Sequence, residues 1–380
     1  MKSYNKFFIV YFYLFFPLFS AEFEPDQHLQ PWMIEQIDQT VNQFSQDLSK
    51  RNLNFLFLNE SLALLRVKKI DNQLLFEEST SHPYKENWKE IFTNLNHKNR
   101  LPNEDFDLLI TCHDMLGCGS CNRPIKQNNV WIYSVDTSQL VERLPIFVQA
   151  DCLHKKNILI PDFLHLDTLK KVEIISNYSK IISWNKKKIK MFFRGSDSDI
   201  LFNLDDSSLS TEYFNMVRST LIKLSIRFPD LIDARFIPSL HFYKFFNETK
   251  KRNMLGHYIP IENHGDYKYL IDLDGNCASN PRNQMLYFTN SLVLKVGSIS
   301  VSWFYPGIKP YEHYIPIAPD LSDLIHKIDW AKENDPICKQ IAENGNQNII
   351  SIMNQDTIDA YIYTLLKKYA ERQKLFYLDP

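Results

Sequence analysis

Two arginines stand where a chain could hold a phosphate. Arg282 closes the run KYLIDLDGNCASNPR, in which 269–272 reads as a buried strand and Asp274, Gly275, Asn276, Cys277, Ala278 and Ser279 as a turn ahead of a helix over 283–289. A strand feeding a tight turn at a helix N-terminus turns backbone N–H groups toward an anion. A guanidinium beside it adds a bidentate charge shaped for phosphate. Arg194 ends a second apolar run, 191–193, and is followed by Gly195 and Ser196, so the same chemistry is expected there; a surface salt bridge is the alternative for that tripeptide by itself. Ser196, Gly275, Ala278 and Ser279 would add backbone and hydroxyl donors around a diphosphate or its base. Asp272-Leu273-Asp274 has the form of a metal-binding DxD, but both carboxylates share a face only if the strand runs through Asp274. Gly275 argues for a turn, so a structural or ribose-contacting Asp274 is preferred and no metal is expected.

The elements that must position these groups alternate between strand and helix. Helices are expected over 31–48, 85–96, 166–183, 211–227, 321–333, 336–344 and 356–369, from apolar residues at three- and four-residue steps. Strands are expected over 62–67, 73–75, 107–111, 130–134, 146–149, 158–160, 191–193 and 292–296. Such alternation predicts an α/β class with mostly parallel sheets, in two Rossmann-like lobes with an interlobe cleft and ligands at the C-terminal strand ends. The lysines over 186–190 read as a solvated turn between the lobes.

Composition narrows the function further. The 380 residues suffice for two domains, and 44% hydrophobic content allows a full core. A formal net charge of −2 argues against a nucleic-acid binder. The 14% aromatic content suits stacking on sugars or bases, though a coding bias toward Phe, Ile, Asn and Lys explains it as well. With only nine glycines, each is expected at a special backbone position. Lys2 and Lys6, a charge-free run over 7–19 and Ser20-Ala21 match a signal peptide over 1–21, with an uncleaved membrane anchor as the alternative. Cys118 and Cys121 form a CxxC, but no second CxxC or HxxxH completes a zinc site. A local disulfide or two free thiols is expected, and an exported thiol protein is a third functional reading.

Three ordered blocks carry a family resemblance: Phe193-Arg194-Gly195-Ser196, then Lys268 through Arg282, then Phe304 through Pro316. Over roughly 106–370 the chain resembles glycosyltransferase family 90, which includes capsule-associated proteins, protein O-glucosyltransferases and lipopolysaccharide-modifying enzymes. The resemblance implies a GT-B arrangement: an acceptor lobe over 22–185, a nucleotide-sugar lobe over 186–350 and a C-terminal helix over 351–380 crossing back. It also implies a metal-free donor pocket for a UDP-sugar, glucose or xylose, as co-substrate without a cofactor.

Glycosyl transfer must neutralise the leaving diphosphate, deprotonate the acceptor hydroxyl and exclude water. A base is expected at a strand end of the opposite lobe. Asp114 follows the 107–111 strand, where the resemblance puts the family's catalytic aspartate, although its neighbours Met115 and Leu116 depart from the family block. A turn-capping role for Asp114, and His113 as rival base, stay open. Trp184 is a candidate for the donor site or the core. Tyr305, Lys309, His313 and Tyr314 lie on a loop that reads either as cleft wall or as a structural connection. The expectation is an inverting glycosyltransferase with a glycan, lipopolysaccharide or protein acceptor. A non-catalytic sugar- or nucleotide-binding protein on the same scaffold is the alternative. An exported or secretory setting follows from the N-terminus, with a bacterial envelope favoured because Tyr377-Leu378-Asp379-Pro380 is no retention signal.

Overall fold

The computed structural model describes residues 23–113, 125–127, 130–132, 144–152, 157–162, 165–198, 213–238, 246–275, 277–278 and 280–377. Asp114, Cys118, Cys121, Ser279 and the 1–21 segment therefore lie outside the described residues.

The first half supplies β1 (Leu64–Ile70), β2 (Gln73–Glu78), β3 (Phe106–Thr111), β4 (Ile125–Gln127), β5 (Val130–Ile132), β6 (Ile146–Val148), β7 (Ala150–Cys152) and β8 (Ile158–Leu159). Its main sheet has the order β2-β1-β3-β6-β8. β1 and β2 form an antiparallel hairpin whose turn residues, Asp71 and Asn72, have φ of 47° and 62°. Two left-handed residues of this kind match the right-handed twist of the flanking strands, and Asp and Asn tolerate them. β1 also runs antiparallel to β3, while β3, β6 and β8 run parallel. The two main sheets are thus mostly parallel, as expected, and the antiparallel β1–β2 edge follows from a two-residue turn that leaves no room for a crossover.

The second half supplies β9 (Lys188–Gly195), β10 (Ile232–Phe236), β11 (Tyr267–Asp272), β12 (Leu292–Val296), β13 (Ser300–Ser302) and β14 (Ile315–Ile317). Its sheet is parallel throughout, in the order β10-β9-β11-β12-β14. Every residue of β11 is buried, as a central parallel strand covered on both faces requires.

The two sheets share a core. One apolar cluster joins Leu65, Val67 and Leu108 of the first sheet to Phe192, Leu270 and Val293 of the second, with Ile358, Leu365 and Tyr369 of the last helix between them. β7 pairs antiparallel with β13, stitching the halves together at Ser300↔Cys152 and Ser302↔Ala150. The last helix, Gln355–Lys374, returns to the first half. Gln373 exchanges two hydrogen bonds with the backbone of Asp107, at 2.8 and 2.6 Å, and Arg100 bridges to Asp356 and Asp359.

Two local expectations are corrected. The 31–48 helix stops at Asn42, and a 3-10 turn at Gln46–Leu48 leads to a further helix, Lys50–Phe57, capped by Ser49. Phe44 and Leu48 still reach the core, so their spacing could not reveal the break. The 186–190 lysines are not all solvated: Lys187 is buried, its Nζ donating to Gly265 O, Thr289 O and Ser291 Oγ. No described glycine has a positive φ.

Candidate functional site

The chain runs from β9 through the helix Val217–Arg227 to β10 on one side, and later places β11 on the other side of β9. Strand order therefore reverses between β9 and β11. In open parallel sheets, ligands bind in the crevice that such a reversal opens at the C-terminal strand ends. Those ends carry Arg194-Gly195-Ser196 and the turn after Asp272.

One arginine ties the two loops together. Arg218, only 6% exposed, donates through Nε to Asp274 O (2.7 Å). Its Nη1 donates to Ser196 O (2.8 Å) and Ser198 Oγ (2.9 Å), and its Nη2 to Leu273 O (3.2 Å). A Cβ on Gly275 would come within 2.8 Å of both Arg218 Nη2 and Ser198 Oγ, so glycine here serves close approach and not a left-handed turn. Sequence reasoning missed Arg218. The signal was present: it shares the helix stripe of Leu221, Ile222 and Ser225, all buried, and an arginine inside an apolar stripe needs acceptors.

Arg282 opens the helix Arg282–Phe288, with its guanidinium 5.0 Å from the Phe193 ring centroid; Arg218 lies 5.6 Å from the same ring. Arg282 Nη2 donates to Ile271 O at 3.0 Å. Its Nε and Nη1 are shut off from solvent and have no hydrogen-bond partner among the described residues. Burial lowers its pKa to about 10, partly opposed by Asp272 and reinforced by the Arg218 charge. His264 is held neutral nearby, its pKa lowered to about 3 first by burial and then by the charges of Arg282 and Arg194.

Arg194 is more fully committed. It bridges to Asp233 at 2.8 Å, donates to Phe193 O and Asp233 O, and lies 4.6 Å from the Phe192 ring centroid; only Nε lacks a partner among the described residues. The turn's backbone is also engaged. Gly275 N–H donates to Cys277 O, and Ala278 N–H donates to Ser300 Oγ at 2.6 Å. The expectation that these two N–H groups face a ligand is thereby corrected: both are taken up by acceptors of the protein itself.

The carboxylates of the DxD separate as the turn predicts. β11 ends at Asp272, which meets Lys295 at 2.8 Å across the β11–β12 register, while Asp274 accepts from Ser298 Oγ. Burial raises Asp274 to about 7, against the pull of Lys295 and the Ser298 hydrogen bond. Burial works to lower Lys295, but Asp272 and the phenols of Tyr305 and Tyr287 carry it well above its ordinary value. No group of three or more potential metal-ligating side chains occurs among the described residues.

Of the remaining candidates, Tyr305 joins the site. Its ring takes the Lys295 ammonium at 3.8 Å, and its hydroxyl accepts from Asn283 at 3.3 Å. Lys309 and His313 do not. Lys309 is exposed beside Glu312, and His313 is packed against the helix Asp335–Ile352, where a Cβ on Gly345 would come within 2.6 Å of its carbonyl oxygen. Trp184 takes the second of its two expected roles: it is a core residue at the N-terminal end of the central strands, donating to Asp335 beside Lys268 near the start of β11. Of the cysteines, Cys152 is disulfide-bonded, Cys112 and Cys338 are free and buried, and Cys277 is buried with its thiol donating to Ala278 O.

The sequence profile of glycosyl transferase family 90 matches residues 35–377. Protein O-glucosyltransferase 3 of Mus musculus is 32% identical over 238 residues, covering 60% of this chain and 43% of that protein. Protein O-glucosyltransferase 1 of Homo sapiens is 33% identical over 188 residues, covering 50% and 43%. Protein O-glucosyltransferase 2 of Danio rerio is 33% identical over 190 residues, covering 50% and 34%. The chain thus spans less than half the length of these curated relatives. The C-terminal domain of a glycosyl transferase group 1 family protein from Francisella tularensis overlays at a TM-score of 0.28 with 14% identity, covering 44% of this chain and 89% of that domain, and adds nothing to the strand order.

Proposed function

The chain belongs to glycosyl transferase family 90, and from that premise we propose that it transfers a sugar from a UDP-sugar, glucose or xylose, to a hydroxyl of a protein or glycan. The observation that carries this reading is Arg282, enclosed at the reversal of strand order with two N–H-bearing atoms lacking acceptors among the described residues. A diphosphate supplies those acceptors and offsets the cost of enclosing the charge. Arg218 holds the two loops around it, and Arg194 adds a second cation at the end of β9.

In the proposed reaction Asp114 takes the acceptor's proton, and the alkoxide attacks the anomeric carbon in line. The bond from that carbon to the diphosphate oxygen breaks, and its electron pair leaves with UDP, where the guanidinium groups stabilise the growing charge. The configuration inverts. The Cys152 disulfide and the signal-like N-terminus support an oxidising, exported setting. Among the described residues no helix is long and apolar enough to cross a membrane.

Calorimetry on the whole chain tests the donor. UDP is expected to bind, and Arg282→Ala to weaken it by about tenfold or more, as loss of a charge-assisted contact does. Asp114→Asn is expected to abolish transfer from UDP-glucose while UDP binding persists. Unchanged turnover in that variant would remove Asp114 from the reaction, and binding without turnover by the unaltered chain would favour a non-catalytic binding protein.

A further inference from the structure

Two side-chain amides beside Arg282 reach across to the first half, and the proposed reaction uses neither. Asn280 Nδ2 donates to Gln149 O at 3.2 Å, across 131 positions of chain. Gln284 Nε2 donates to Asp162 Oδ2 at 2.9 Å, across 122 positions, and these two side chains are 2% and 1% exposed. Arg282 lies between Asn280 and Gln284 in the chain, so the start of its helix is pinned to the first half on either side of it.

Asn280 is held in the orientation its contact needs. Its Oδ1 accepts from Asn283 Nδ2 at 2.7 Å and from Ser302 Oγ at 3.4 Å, which leaves Nδ2 to donate. Asn283 is itself buried, and its own Oδ1 accepts from the Gln284 N–H at 2.8 Å. Gln149 carries the contact onward. It is the residue between β6, which pairs with β3 in the first sheet, and β7, which pairs with β13 of the second half. Gln149 is 4% exposed, and its Nε2 donates to His113 O at 3.5 Å. The His113 N–H donates to Thr111 Oγ1 at 3.2 Å, and its ring Nε2 meets Ser61 O at 3.2 Å. His113 immediately precedes Asp114 in the chain. These contacts therefore fix the backbone from which the segment carrying the proposed base departs.

The base and the diphosphate cations come from different halves, and displacement in line tolerates little error. A misplacement of about 1 Å costs on the order of 10²-fold in rate. Groups that meet such a tolerance are locked by hydrogen bonds behind them. We infer that Gln149 is a positioning residue for the transfer: its backbone takes the donor turn through Asn280, its side chain takes the end of β3 through His113, and base and cation are set against each other through this one buried residue. The inference rests on the transferase reading with Asp114 as base. Gln149 acts through its neighbours, so its contribution is to rate and not to nucleotide affinity.

The test compares the unaltered chain with Gln149→Met, which keeps the side chain's length and removes its donor, and with Asn280→Ala, which removes the donor on the other side. Each variant is checked for an unchanged melting temperature. Three quantities are read: UDP release from UDP-glucose with water as the acceptor, UDP affinity by calorimetry, and hydrogen exchange over 106–113. Gln149→Met is expected to lower kcat for UDP release by about tenfold, within the range of a sub-ångström displacement, and to leave UDP affinity and the KM for UDP-glucose within about twofold. Asn280→Ala is expected to speed exchange over 106–113, although the substitution lies in the other half. A loss of UDP affinity matching the loss of rate in Gln149→Met would put the effect at the donor turn and overturn the inference. Unchanged kcat and unchanged exchange in both folded variants would overturn it as well. Should the unaltered chain release no UDP, the transferase reading falls, and exchange over 106–113 still decides whether Gln149 ties the donor turn to the end of β3. Asn280→Ala carries the exchange comparison if Gln149→Met does not fold.

Discussion

At the level of single residues, the site is built from charges that differ in how far they are satisfied. Arg218 spends its donors on acceptors of both loops, whereas two nitrogen atoms of Arg282 have no partner among the described residues. Asp274 adds a pH dependence. Its ordinary value of 3.8 is raised to about 7, chiefly by burial. Between about pH 4 and pH 7 the unfolded chain has released this proton while the folded chain keeps it, so this group's contribution to stability falls across that window and levels off above it. The same titration faces the donor. UDP affinity is expected to drop as pH rises through about 7, when a carboxylate appears beside the diphosphate, and Asp274→Asn should flatten that step. A step left intact in Asp274→Asn would belong to another group, such as the nucleotide's own phosphate. Arg194, Asp274 and Arg282 were legible in the sequence because each adjoins a glycine or a helix start. Lys295 was not, since a lysine near the end of an apolar strand betrays its partner only when Asp272 is seen opposite it across the β11–β12 register.

At the level of elements, the turn after β11 is the most constrained piece. Gly275→Ala drives a methyl group against Arg218 and Ser198. It is expected to lower stability by about 1–3 kcal/mol, as overpacking does, and to weaken UDP, measured by thermal denaturation and calorimetry. Native stability with intact binding would mean that the loops accommodate the methyl without Arg218 moving. Elements with strong apolar periodicity were readable: the 85–96 expectation became Lys85–His97, and 107–111 became Phe106–Thr111. What escaped was set by distant partners. β9 begins at Lys188 because Lys187 finds carbonyl acceptors at Gly265 and Thr289, which lie 78 and 102 positions away. The start of β2 was visible, but its extension to Glu78 depends on pairing with β1 and not on its own half-exposed residues.

At the level of the whole molecule, the two sheets are fused through a common apolar cluster and the β7–β13 pair. Alternating strands and helices announced two lobes, but nothing local announced that their cores would merge. The C-terminal segment is tied to the first sheet at Asp107 on β3. Arg66 donates to its two carboxylate oxygens, at 2.7 and 2.5 Å, while Tyr377 donates to the same carboxylate from beyond the last helix. Arg66→Met leaves that carboxylate without its cation and is expected to cost about 3–5 kcal/mol, whereas Arg66→Met with Asp107→Leu should recover much of the loss. Denaturant unfolding of the two variants measures this; equal losses would show that Arg66 contributes packing and not charge.

The return of Gln355–Lys374 to β3 also has a temporal consequence. Asp107 is fully bonded only once Gln373, 266 positions later, has arrived. A ribosome therefore emits the entire first sheet long before Gln373, so the bonding of Asp107 cannot be completed until the C-terminal helix is made. Until then the unmet backbone groups of Asp107 are open to whatever escorts unfinished chains.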